Sequence, residues 1–320
     1  MNHYPSNGKE KLNSIILSMA EHHWLFSKNP GHDFTRQHLG KLSFYDTMRL
    51  IISMGKGSTN DEIMDYFDLD PDLIPSQSAF CQRRRQISLS AFEYLFSEFS
   101  SSFPSTTDKF KDHCILACDG CHVVYATNSD IIEDYNKPRL IDYKGYNHMH
   151  LNGFVDVISK AFLDVVIQPG QQPDEREALH SMLDHFTPDD PQKYIITADR
   201  GYESYDLLFH CELKNLGYVF RVKSPSSPKS ILSYYASEFP DDLEEFDVTI
   251  KRFFTDKATN IMKSQSDVYR YINPSKNTPH CYELLRKKHS HLYFLQFRVV
   301  KIKTAGISKT GNLFPPDSVQ

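Results

Sequence analysis

The sequence has no apolar run approaching the ~18 residues that cross a bilayer, so no membrane partner is expected. Its first ten residues are polar and lack the apolar stretch of a secretory signal, and the chain reads as cytosolic. Cysteine is sparse. Cys81, Cys114, Cys118, Cys121, Cys211 and Cys281 sit at irregular intervals, unlike the framework of a small disulfide-stapled domain. One C-x-x-C, Cys118 to Cys121, lies near His113 and His122 and has no second copy. A zinc site built on it needs two more ligands, for which His148 and His150 are candidates. The alternative is that these thiols pack as small hydrophobes. No internal repeat is present.

What is present is an ordinary globular composition: 320 residues, 40% hydrophobic and 24% charged. That length suits one large domain with insertions, or two ordinary ones. The net charge of −5 is unevenly spread. Residues 251–320 hold about 13 Lys and Arg against about 4 acids, leaving the remainder near −14. A basic C-terminal region on an acidic protein fits a polyanion partner, an internal electrostatic contact, or a solvated basic face.

Periodicity divides the chain into three regions. Residues 1–106 read as a helical region, for which DNA binding is an expectation of the family resemblance given below. Residues 1–40 are polar around one apolar patch near Trp24. A helix follows through Met48, Leu50, Ile51, Ile52 and Met54, and Gly55 and Gly57 end it. Ser58 caps the next, with Ile63, Met64 and Phe67 at helical spacing. Two more helices are expected over 78–87 and 90–99, the first carrying Arg83, Arg84 and Arg85. Short helices with a triple arginine fit a helix-turn-helix reader of DNA or a plain bundle with arginines facing water. Ser100–Thr107, rich in Ser, Thr and Pro, marks the boundary.

Residues 107–223 read as an α/β core. Strands are expected over 114–126, 150–158 and 161–168, the last two joined tightly through Ser159 and Lys160 as an antiparallel hairpin. A helix over 174–186 presents Leu179, Met182, Leu183 and Phe186 on one face. Strand 194–198, a helix over 204–216 and strand 218–222 complete the order β-β-β-α-β-α-β, with an antiparallel half and a parallel half. Residues 224–320 read as a β-rich insertion, with strand-like runs over 246–254, 268–272 and 292–303.

Two of these strands end in a carboxylate followed at once by a glycine turn: Cys114-Ile115-Leu116-Ala117-Cys118-Asp119-Gly120 and Tyr194-Ile195-Ile196-Thr197-Ala198-Asp199-Arg200-Gly201. A strand-end aspartate commonly caps a turn. In this order of elements, which is the ribonuclease-H-like arrangement, the first and fourth strands are neighbours and Asp119 faces Asp199. Paired carboxylates suit hard cations such as Mg²⁺, which take oxygen ligands and retain waters. Two such ions ~4 Å apart serve phosphodiester cleavage. Arg200, Lys223 and the run Arg286-Lys287-Lys288 read as phosphate contacts or as solvated surface.

The segments Ala117-Cys118-Asp119-Gly120 and Ile196-Thr197-Ala198-Asp199-Arg200-Gly201-Tyr202-Glu203 resemble the signatures of bacterial DDE insertion-sequence transposases, specifically insertion-sequence family four. Asp33-Phe34-Thr35-Arg36, Ser53-Met54-Gly55 and Ser78-Ala79-Phe80 are similar to the same group, so the likeness runs from about Gly31 to the C-terminus. It implies a Mg²⁺ (or Mn²⁺)-dependent DNA strand-transfer enzyme that recognises the terminal inverted repeats of its own element. It further implies a nucleoid-associated protein, and a homo-oligomer where two element ends are paired.

The family's third acid lies in a motif Tyr-x2-Arg-x3-Glu-x6-Lys. After Glu245 the one glutamate is Glu283, and its spacing to Tyr282 and Arg286 does not match. Phe297–Lys303 resembles a late insertion strand, and Thr310–Asp317 the approach to the missing helix. The resemblance therefore implies a C-terminally truncated, defective transposase. Asp156, Asp164 and Glu133 are candidate substitutes for the third acid. A non-catalytic DNA-binding remnant, a metal-dependent nuclease with a different third acid, and a zinc-binding regulator built on Cys118 and Cys121 are the competing readings.

Overall fold

The computed structural model describes residues 5–35, 42–102, 109–138, 144–240, 245–257, 259–273, 279–287 and 290–302. Its contacts divide the chain into two units, Met1–Asp108 with Ile158–Asp164, and Lys109–Val157 with Val165–Gln320.

The first unit holds helices α1 (Pro5–Glu21), α2 (Phe44–Ser53), α3 (Thr59–Tyr66), α4 (Gln77–Gln86) and α5 (Leu89–Ser101). Two of them start on reciprocal caps. Ser43 Oγ accepts from the Asp46 amide while the Asp46 carboxylate accepts from the Ser43 amide, and Ser58 and Asp61 repeat the arrangement. Ile15, Ile16 and Met19 of α1 pack with Phe44 and Met48 of α2 and with Ala91 and Leu95 of α5. Helix α1 corrects the reading of residues 1–40 as a polar stretch around Trp24. The core is made by its Ile15–Ile16–Met19 face, and Trp24 stays 44% exposed.

The second unit is built on a mixed sheet. Strands β1 (Cys114–Tyr125), β2 (Tyr135–Asn136), β3 (Tyr146–Asp156), β4 (Phe162–Pro169), β5 (Tyr194–Ala198) and β6 (Gly217–Phe220) form it. The order is β2-β3-β1-β5-β6, with β4 also paired to β3. β1 runs antiparallel to β3 and parallel to β5, and β5 runs parallel to β6. Helices α6 (Glu175–His185) and α7 (Tyr205–Leu213) are the crossovers of the parallel half. Asp174 starts α6 by accepting from the Arg176 and Glu177 amides, and Leu179, Met182 and Leu183 bury its inner face. A mixed α/β unit of this order agrees with the α/β core expected from the sequence. The two-residue β2 is the one strand here that periodicity did not anticipate.

Beyond β6 lies a second, three-stranded sheet in the order β8-β7-β9: β7 (Phe246–Thr255), β8 (Tyr269–Tyr271) and β9 (Leu292–Lys301). It also carries helices α8 (Asn260–Ser264) and α9 (Pro279–Lys287), so the segment read as purely β-rich is half helical in its connections. Cys281, Leu284 and Leu285 of α9 join Ile250, Phe254 and Leu295 in a core that includes Phe209 of α7. Phe209 stands edge-on to Phe254 with centroids 5.1 Å apart.

Because Phe209 is fully buried at the joint of α7 with this second core, Phe209→Ala is expected to cost about 3–5 kcal/mol in urea unfolding. A loss below ~1 kcal/mol would mean that the joint is loose.

Candidate metal centre at the ends of β1 and β5

The parallel ladder aligns Cys114 with Tyr194 and continues residue for residue to Cys118 with Ala198. The ladder ends there, so Asp119 and Asp199 are each the residue that follows the last paired one. Both are exposed. The amide of a following glycine steadies each: Gly120 N donates to Asp119 Oδ1 at 2.9 Å and Gly201 N to Asp199 Oδ1 at 2.6 Å, but β1 continues through Asp119 and Gly120 to Tyr125, so the glycine turn expected there is present only after β5.

A third carboxylate stands nearby that the sequence reading did not single out. A Cβ placed on Gly201 would lie 3.0 Å from Asp199 Oδ1 and 3.2 Å from Glu175 Oε2. The first residue of α6 therefore reaches the turn after β5, and glycine is what leaves room for both. Glu175 Oε1 lies 3.3 Å from Nε2 of buried His150 on β3. A Cβ on Gly120 would meet the same imidazole, at 2.9 Å from Cε1, and Asn152 Oδ1 at 3.0 Å. Asn152 is fully buried and its Nδ2 donates to Val166 O and Gln168 Oε1, while Oδ1 has no protein hydrogen-bond partner. The one sequence signal for this group was the alternation His148, His150, Asn152 along a strand, opposite Gly120.

The acids act together on their surroundings. Burial pushes the Cys118 thiol up to about 12, with Asp119 and Glu175 adding to it. Burial also raises the Tyr202 phenol, reinforced by Cys118 and then by Glu175 and Asp119. Carboxylate oxygens suit a hard divalent cation, Mg²⁺ or Mn²⁺. Among the described residues, the one trio of potential ligands within 4.8 Å lies elsewhere.

Of the other proposed acids, Asp156 pairs with Leu116 in the ladder, three residues back from Asp119, or about 10 Å along the strand. Glu133 is exposed in the loop before β2, and Asp164 lies on β4.

The basic residues divide by environment. Arg83 is half-buried, donating to Gln86 and lying over the Phe34 ring, whereas Arg84 and Arg85 are exposed on α4. Arg200 is exposed beside Asp199, and Arg286 and Lys287 are exposed at the end of α9. Lys288, Arg36 and Thr310–Asp317 lie outside the described residues. Lys223 is engaged: its Nζ lies 2.7 Å from Oε1 of the buried Glu203, and its amide donates to Oε2 at 2.8 Å. The C-x-x-C does not chelate. Cys118 is buried and Cys121 exposed on one strand, and residues three apart in a strand point to opposite faces.

A family model described as a transposase DDE domain matches residues 110–292. No curated protein matches the chain.

The Glu203 side chain has no exposure and leans on Lys223. Lys223→Met is therefore expected to cost about 3 kcal/mol in chemical denaturation, because it strands a buried carboxylate. A loss of a few tenths would mark Lys223 as an ordinary surface cation.

Proposed function

The chain belongs to the transposase DDE domain family, and we propose that it is a member of insertion-sequence family four. Its chemistry in this reading is Mg²⁺- or Mn²⁺-dependent cleavage and transfer of DNA strands at the terminal inverted repeats of its element. One observation supports the proposal: β1 and β5 are parallel neighbours, and Asp119 and Asp199 each follow the last paired residue of that ladder. Asp119 and Asp199 would hold the cation. When bound, that ion would activate the attacking water or 3′-hydroxyl and stabilise the departing oxygen of a phosphodiester.

The chain's own residues supply binding and orientation. The Gly120 and Gly201 amides keep one oxygen of each aspartate fixed, leaving the other to face the ion. Arg200 neutralises a phosphate next to it. Arg84 and Arg85, with Arg83 in support, contact the DNA backbone from α4, and Arg286 and Lys287 do so from α9. These contacts make binding salt-dependent.

The family's third acid has no counterpart at Glu283, an exposed residue of α9 flanked by Tyr282 and Arg286 in the wrong spacing. Without a third acid beside Asp119 and Asp199, the polypeptide would bind element ends and process them slowly. Members of a catalytic unit act together, so the loss of one costs orders of magnitude in rate. A second reading, a nuclease with a different third acid, is favoured by Glu175, whose carboxylate shares the space beside Gly201 with Asp199.

The test is a gel shift on DNA carrying the element's ends, paired with nicking of supercoiled plasmid bearing them. End binding that weakens with salt is expected, with slow nicking stimulated by Mg²⁺ or Mn²⁺. Asp119→Asn and Asp199→Asn should each abolish the nicking and retain the shift. Glu175→Gln should leave the residual rate unchanged if the acid is not used, and abolish it if the nuclease reading holds. Nicking that survives both aspartate substitutions sinks the assignment.

A further inference from the structure

The second unit contains a group of side chains that strand transfer does not use. His180 of α6, His210 of α7 and His280 of α9 each bring one ligating nitrogen within 4.8 Å of the other two. All three are wholly or mostly buried, and their rings stack, with planes 7° to 17° apart and centroids 3.9 to 5.1 Å apart. Two aspartates stand behind them. His280 Nδ1 lies 2.7 Å and His180 Nε2 3.5 Å from Asp206 Oδ2, and His210 Nε2 lies 3.2 Å from Asp184 Oδ1. Asp206 is itself buried and takes its other hydrogen bond from the Cys281 amide at 3.0 Å.

His280 Nδ1 donates to Asp206, which leaves its Nε2 as a lone-pair nitrogen. Nδ1 of His180 and Nδ1 of His210 lie 2.9 Å apart, a distance at which a proton or a cation sits between them. A histidine that gives its outer N–H to a carboxylate and its inner nitrogen to a metal is the common arrangement of a zinc ligand.

We propose that His180, His210 and His280 form a binding site for a borderline transition-metal cation, Zn²⁺ first, oriented by Asp206 and Asp184 and distinct from the carboxylate centre. Imidazole selects zinc over Mg²⁺, which takes oxygen. The stacked rings must fan open about their Cβ–Cγ bonds for three nitrogens to converge on one ion. The bound cation ties three helices together: α6, which begins with Glu175; α7, which follows Asp199; and α9 of the three-stranded region. Its role is to brace, and the inference stands whether or not the chain transfers DNA strands.

The experiment uses the full chain, purified without chelator or affinity metal. Metal analysis is expected to find close to one zinc per chain, and Co²⁺ exchanged into the site should give the visible bands of a tetrahedral nitrogen-rich complex. Chelation should lower the melting temperature, and zinc, but not Mg²⁺, should restore it. His210→Asn and His280→Gln should lose the metal, while Cys121→Ser retains it. Asp206→Asn, which keeps the ligands and weakens their support, should lower zinc affinity about 10- to 100-fold. If the histidine variants do not fold, the wild-type titration decides alone. A metal-free wild type whose melting ignores added Zn²⁺ overturns the proposal, as does zinc retained by folded histidine variants.

Discussion

The parallel pairing of β1 with β5 is the constraint on which the proposed chemistry depends. Neither aspartate has a distinctive local environment. Each is an exposed residue at the end of an apolar run, held by the amide of a nearby glycine. What makes them a pair is the ladder from Cys114–Tyr194 to Cys118–Ala198. A slip of one residue would turn one carboxylate to the opposite face. The register is held from inside, where Leu116 and Ile196 are fully buried and Phe154 covers β1 from the next strand.

Around that pair the chain spends its close approaches on glycine. Gly120 admits His150 and Asn152, and Gly201 admits Asp199 and Glu175. Gly120 directly follows Asp119 and Gly201 lies two residues after Asp199, so the glycine whose amide orients each carboxylate also opens space for a second group. The neighbouring segment is fixed differently. Tyr202 and Glu203 are buried, and the Glu203–Lys223 pair ties the turn after β5 to the chain just beyond β6. The Asp-Arg-Gly-Tyr-Glu run thus combines an exposed half that faces solvent with a buried half that anchors it.

Much of this was legible from residue order. The runs 114–119 and 194–198 are apolar, short and ended by turn chemistry, so their strands and their relation in the sheet follow from general topology. The caps at Ser43 and Ser58 are equally local. The failures have physical reasons. In α1 the apolar residues Leu12, Ile15, Ile16 and Met19 do recur at helical spacing, but Asn13, Ser14 and Ser18 between them dilute the pattern. In α9 one face is apolar, and the helix ends in the charged pair Arg286 and Lys287. Glu175 is an ordinary first-turn acid until the fold brings β5 alongside. The three histidines lie far apart in sequence with no shared motif, and only the packing of α6, α7 and α9 joins them.

The central claim is that Asp119 and Asp199 share a divalent cation at the margin of the mixed sheet. Diffraction from crystals soaked in Mn²⁺, recorded at the manganese edge, tests it most directly. The account predicts an anomalous peak within about 2.1–2.2 Å of a carboxylate oxygen from each residue. Manganese found only at other acids, with none between these two, would contradict it.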